Sequence, residues 1–159
     1  MVDRQIKIPG PDHPITIDAN PSRVVVKVGG KTIADTREAL TLREASYPPV
    51  QYIPRRDVDM AALTRSEHTT YCPYKGDASY YSIPSGGDRA INAVWTYETP
   101  FEAMARIKDY VAFYPDRGDQ LIAGGPNRQA KCKDGILVIG RRQRAMRCLN
   151  CGRCARRLA

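Results

Sequence analysis

The chain has no run approaching the roughly 18 consecutive apolar residues of a membrane-spanning helix, and its opening residues, MVDRQIKIPG, lack the apolar stretch of a secretory signal. Membrane insertion and export are therefore disfavoured, and the expected compartment is the cytoplasm. Cysteine is scarce in the body: only Cys72 precedes residue 118, while Cys132, Cys148, Cys151 and Cys154 follow it. An odd count without an export signal argues against a disulfide framework. There is no phosphate-binding loop of the Gly-x-x-x-x-Gly-Lys-Ser/Thr type. At 159 residues the chain can bury one sizeable core and is too short for two ordinary domains.

The body also lacks a charge excess. The net charge of +8 suggests nucleic-acid binding until it is divided along the chain: residues 1–117 hold 15 basic and 15 acidic side chains, whereas 118–159 hold 10 basic and 2 acidic ones. The expected organisation is thus one domain over 1–117 and a basic, Cys- and Arg-rich tail over 118–159. The tail has almost no periodic apolar face beyond Ile139, so it is expected to be poorly ordered, and any contact with nucleic acid is expected only through it.

What the body does contain reads mainly as β-structure. Val24, Val26 and Val28 share one strand face, and Gly29-Gly30 supplies the positive φ of a two-residue hairpin turn before the chain returns through Lys31 to Asp35. Leu40 and Leu42 alternate with polar residues, Pro48-Pro49 interrupts, and Val50 and Tyr52 resume the pattern. Ala78 to Ile83 is a Tyr- and Ser-rich strand, Gly86-Gly87-Asp88 a turn, and Ile91, Ala93, Trp95 and Tyr97 fall on alternate positions of a returning strand. Thr99-Pro100-Phe101-Glu102 resembles a capped helix start, and Phe101, Met104, Ile107 and Val111 follow at helical spacing, which predicts one helix over about 99–111. A last strand is expected near Val111 to Tyr114, and Asp57 is expected to cap a short helical turn.

The succession Tyr47-Pro48-Pro49-Val50, Tyr52-Ile53-Pro54-Arg55, His68-Thr69-Thr70, Cys72-Pro73-Tyr74-Lys75-Gly76-Asp77, Asn92-Ala93-Val94-Trp95 and Val111-Ala112-Phe113-Tyr114-Pro115-Asp116 resembles the domain-of-unknown-function family 427, which carries a nucleotidyltransferase-type label. The resemblance spans roughly residues 10–117. It implies a mainly β, β-tent-like fold in which two small antiparallel sheets pack at a steep angle, here with the one capping helix. Several β-tent families hold zinc with paired Cys-x-x-Cys knuckles, and the body has none, so no metal or cofactor is expected there. The label itself finds little support: Asp57-Val58-Asp59 is the only close acidic pair, with no Gly-Ser motif ahead of it.

The segment His68 to Asp77 concentrates the reactive groups. On an extended strand His68, Thr70 and Cys72 point to one side, which would let His68 act as acid/base or lower the pKa of a nucleophilic Cys72. Lys75 would hold an anionic group, and Asp77 would orient a substrate. The same segment also reads as a plain turn, shaped by Pro73 and Gly76, with Lys75 and Asp77 paired to neighbours and Cys72 a small buried residue. The second constellation is aromatic: Tyr52, Tyr74, Tyr81, Trp95 and Tyr97, with Tyr80 and Tyr114, would line a pocket for a flat or cationic ligand. In the tail, Cys148, Cys151 and Cys154 have metal-like spacing with Cys132 as a fourth thiolate, but an iron–sulfur pattern would need Cys at position 158, which is Leu. Two functions fit these residues: a small-molecule pocket with catalytic activity, and a noncatalytic module that binds a ligand or peptide.

Overall fold

The computed structural model describes residues 4–118 and 120–123. The strands are β1 (Ile15–Asn20), β2 (Val24–Val28), β3 (Lys31–Thr36), β4 (Ala39–Glu44), β5 (Val50–Pro54), β6 (Thr64–Cys72), β7 (Gly76–Ser82), β8 (Val94–Thr96), β9 (Tyr110–Phe113) and β10 (Gln120–Ala123). They form two antiparallel sheets: a seven-stranded one in the order β1-β4-β5-β9-β8-β7-β6, and a three-stranded one in the order β10-β2-β3. The mainly β architecture agrees with the expectation, although the two sheets are unequal in size. Pairing of β10 with β2 carries the fold past Arg117, where the composition changes. Among the described residues no helix is long and apolar enough to cross a membrane.

The hairpin β2–β3 forms as its valines and glycines predict. Val28 pairs with Lys31, and Gly29 and Gly30 take φ of 59° and 74°. At Gly29 a side chain is excluded twice, by that positive φ and because a Cβ would lie 2.4 Å from the carbonyl oxygen of Ser85. The turn therefore sits against the 84–90 segment and joins the small sheet to the large one.

Strand alternation divides the core. Ile53, Tyr81, Val94, Val111 and Phe113 point to the face covered by Val24, Val26, Val28, Ile33 and Ala34 of the small sheet. Their neighbours Leu40, Tyr52, Tyr80 and Ala112 point the other way, where Met104 and Ile107 pack on them. Each turn of strand thus feeds two separate clusters.

The predicted helix is the main correction. In place of a helix over 99–111, Glu102–Ile107 forms a six-residue 3-10 segment whose N-cap is Phe101, with no side-chain cap. Backbone from Tyr110 is claimed by β9, which pairs with both β5 and β8, so no α-helix can extend through it. Met104 and Ile107 bury at i, i+3 in a 3-10 turn just as they would in an α-helix. Asp57 is likewise no cap: it ends the 3-10 turn Arg55–Asp57, and its Oδ2 accepts a 2.5 Å hydrogen bond from Thr36. Ile91 is exposed and Asn92 has a φ of 53°, so the returning strand expected from Ile91 starts only at Val94.

Candidate functional site

One row of paired residues crosses the large sheet. Leu40 opposes Tyr52, Tyr52 opposes Ala112, Ala112 opposes Trp95, and Trp95 opposes Tyr80. The small Ala112 between two large rings lets them meet above it: Trp95 donates its indole N–H to the Tyr52 hydroxyl at 3.3 Å, and the ring planes stand 84° apart. Tyr114 also packs on Trp95, with centroids 4.5 Å apart and ring planes tilted by 45°. With Tyr80 and Tyr97, these rings surround a cup of about 210 Å³. Leu42 and Val50 supply apolar wall, and Glu44 and Lys75 supply the polar end.

The turn between β6 and β7 places Lys75. Cys72 pairs with Gly76, the Lys75 N–H donates to the Cys72 carbonyl at 3.2 Å, and Gly76 closes the loop at a φ of 103°, a conformation that favours glycine. The Lys75 carbonyl in turn accepts from the Phe101 N–H at 3.1 Å. Held at both ends, Lys75 is only 6% exposed, and its Nζ donates to Glu44 Oε2 at 2.5 Å. Its Nζ also lies 3.8 Å from Cys72 Sγ. The other carboxylate oxygen of Glu44 accepts from His13 Nε2 at 3.0 Å, which places the proton on that nitrogen.

The N-terminal strap delivers His13. The Lys7 N–H donates to Pro73 O at 2.8 Å, the Tyr71 hydroxyl donates to Gln5 O at 3.1 Å, and the His13 ring stacks on Tyr74 at 4.2 Å with planes 6° apart. Burial opposes the charge of Glu44, but the hydrogen bonds from His13 and Lys75, with the Lys75 charge, hold its carboxyl below the usual range. Burial pushes the hydroxyls of Tyr52 and Tyr97 well above their ordinary value, so both stay protonated donors. Tyr114 is raised too, by burial and then by a hydrogen bond with Tyr80.

The residues singled out from sequence separate into three places. Tyr52, Lys75, Trp95 and Tyr97 line the cup together with Tyr80 and Tyr114. Two more sit beside it: His68 is exposed and packs its ring on Tyr80 at 4.6 Å, and Cys72 is half-buried against the apolar cluster that underlies the cup. The others lie elsewhere. Asp77 is on the surface, bound to Arg4 at 2.8 Å; Tyr74 stacks under His13; and Tyr81 is buried on the opposite sheet face, its hydroxyl accepting from Arg55. Asp59 pairs with Lys31 at 2.8 Å, so the Asp57–Asp59 pair serves two separate local contacts away from the cup. No group of three or more His, Cys, Asp or Glu among the described residues is placed to hold a metal ion. Cys132, Cys148, Cys151 and Cys154 lie outside the described residues.

Sequence reasoning missed Glu44 and His13. Glu44 stands at the end of a strand of alternating pattern, where a carboxylate looks solvated, and only the pairing of β1 with β4 and the turn between β6 and β7 bring His13 and Lys75 to it. No curated protein matches the chain. A family model described as a domain of unknown function, DUF427, and bearing a nucleotidyltransferase-type name matches residues 16–124, and the chain belongs to that family.

Proposed function

We propose that this chain is a cytoplasmic ligand-binding domain that takes a small, flat, uncharged molecule into the aromatic cup. The observation that carries this reading is the composition of the cup: five aromatic side chains around a volume of about 210 Å³, closed at one end by an ion pair whose charges cancel. That volume is below the roughly 300–1,000 Å³ of pockets for drug-sized ligands, which favours a molecule of one ring. An organic cation would gain from the ring faces, but Lys75 sits beside Glu44 and offsets the carboxylate that would attract it. An anion meets the converse difficulty.

Binding is favoured over turnover because the charged groups of the cup are already spent on one another, and His68 stands at its rim rather than inside. A free thiol at Cys72 suits a reducing compartment. The test is a thermal-shift screen of the full chain against small metabolites of neutral, cationic and anionic type. Neutral planar compounds should raise Tm, and the rise should vanish in Tyr114→Ala. Stabilisation confined to charged compounds, or unchanged in Tyr114→Ala, would sink the reading.

A further inference from the structure

On the sheet face away from the cup, two guanidinium groups converge on one buried phenol. Arg65 stands opposite Tyr81 in the β6–β7 register, and its guanidinium carbon lies 6.0 Å from the Tyr81 ring centroid. Arg55, which opens the 3-10 turn after β5, lies 5.6 Å from the same centroid and donates from Nη2 to the Tyr81 hydroxyl. The charges here do not balance. Arg65 forks onto Glu98 at 2.7 and 3.1 Å and reaches Ser79 Oγ at 3.2 Å. Arg55 is half-buried and forms no ion pair among the described residues, whereas its neighbour Arg56 pairs with Glu38 and with Asp57. One carboxylate thus serves two guanidiniums. The hydrogen bond from Arg65 holds Glu98 below the usual carboxylate range, and the charges of Arg65 and Arg55 add to it against the effect of burial.

The donors left over define what fits. A guanidinium has five N–H groups, and Arg55 spends one on Tyr81, so four remain. Because the Tyr81 oxygen accepts from Arg55, its own hydrogen points elsewhere, and no described residue accepts it. Tyr81 is only 7% exposed, so this O–H stands on a ring fixed by the core. The cluster is therefore rich in donors and positive in charge, with Arg55 entering from the end of β5, Arg65 from β6 and Tyr81 from β7. A carboxylate offers two coplanar oxygens, enough for one guanidinium fork, as Glu98 does for Arg65. A phosphate group offers three acceptor oxygens in separate directions, enough for both arginines and the phenol.

We propose that Arg55, Arg65 and Tyr81 form a site for a phosphate group, free or on a small monoester, and that Glu98 leaves Arg65 for solvent when the ligand enters. The Arg65 and Glu98 side chains are 55% and 39% exposed, and a pair so open to water separates at little cost. The site lies across the sheet from the cup and does not depend on what the cup takes.

Calorimetric titration of the full chain at fixed ionic strength with inorganic phosphate, methyl phosphate and acetate tests the site. Phosphate is expected to bind more tightly than acetate, and the tighter of the two phosphates distinguishes a free ion from an ester. Arg55→Gln should weaken phosphate binding at least about tenfold, and Tyr81→Phe, which removes one oxygen from a retained ring, should weaken it severalfold. Glu98→Gln should tighten it, because the competing carboxylate is gone; a gain in affinity cannot come from a variant that fails to fold. Attraction of phosphate to the basic residues of 118–159 is common to every variant and cancels in the comparison. Trp95 is the only tryptophan of the chain and lines the cup, so its emission reports that face. Phosphate affinity unchanged in Arg55→Gln, or reduced in Glu98→Gln, overturns the site. So does a phosphate response of Trp95 emission that survives Arg55→Gln, which would put the anion in the cup. Equal affinity for acetate overturns the assignment to phosphate.

Discussion

Ile53, Val94 and Val111 are sealed between the two sheets, whereas Tyr52, Trp95 and Ala112, each one position along on the same strands, face the cup. The sealed face is made mostly of valine, isoleucine and alanine side chains that fill space, with Phe113 and with Tyr81, whose hydroxyl is bound by Arg55. The cup face is made of amphipathic rings around a small alanine, with an ion pair at one end. The same strand pairing supports both, so the difference lies in what covers each face. A three-stranded sheet closes one, while a six-residue 3-10 segment covers only part of the other. Burial stabilises the first face, and incomplete cover leaves a cup of about 210 Å³ on the second.

The comparison breaks most severely at the ion pair. Glu44→Ala would leave the Lys75 ammonium in a nearly closed site without its carboxylate, and one-sided removal of such a partner costs roughly 3–5 kcal/mol. The double change Glu44→Leu with Lys75→Met should recover most of that loss, since apolar replacement of a whole buried pair is often neutral. Urea unfolding of the three proteins checks this. A Glu44→Ala cost under about 1 kcal/mol would mean that the pair is solvated and the cup more open than its burial indicates.

A smaller and cleaner contrast sets the two faces against each other. Ile53→Ala on the sealed face removes a side chain of 0% exposure and should cost roughly 2–4 kcal/mol while leaving ligand affinity of the folded protein unchanged. Tyr97→Phe on the cup face removes a hydroxyl that has no partner among the described residues, and should change stability by less than about 0.5 kcal/mol while altering ligand binding. Denaturant midpoints and Trp95 titrations on both variants provide the test. If Tyr97→Phe destabilises as much as Ile53→Ala, the cup is core and not a site.

Much of this division is legible in the chain before folding. Val24 to Asp35 specify their hairpin through local chemistry, because alternation and two glycines act within a dozen residues. The aromatic set is visible too, but its sorting is not: Tyr80 and Tyr81 are adjacent and read alike, and only the β7–β8 register sends one to the cup and the other under Arg55. The helix expected at 99–111 fails for a similar reason. Its capping residues and apolar stripe are local signals, and the competing demand, the place of Tyr110–Phe113 between β5 and β8, comes from partners fifteen or more residues away in sequence. Glu44 is the extreme case. Its two partners come from the N-terminal strap and from the β6–β7 turn, so nothing near it in the chain marks it as part of a site.

Acidification offers the finest separation. The Glu44 carboxyl titrates below its ordinary value of 4.5 when folded, so its contribution to stability is complete above about that pH and is lost as pH falls through the lowered folded value. Asp35 and Asp59 are also lowered, by hydrogen bonds from Arg23 and Lys31, and would give acid dependence of the same sign. Those two lie in exposed pairs that salt screens, whereas the Glu44 pair is shielded from it. Denaturant unfolding at high salt, from neutral pH to below 4, should therefore show the wild type losing stability faster than the Glu44→Leu, Lys75→Met double variant, with the gap opening below about pH 4.5. Parallel curves would place the acid sensitivity on the surface pairs and deny Glu44 its charged role at the foot of the cup.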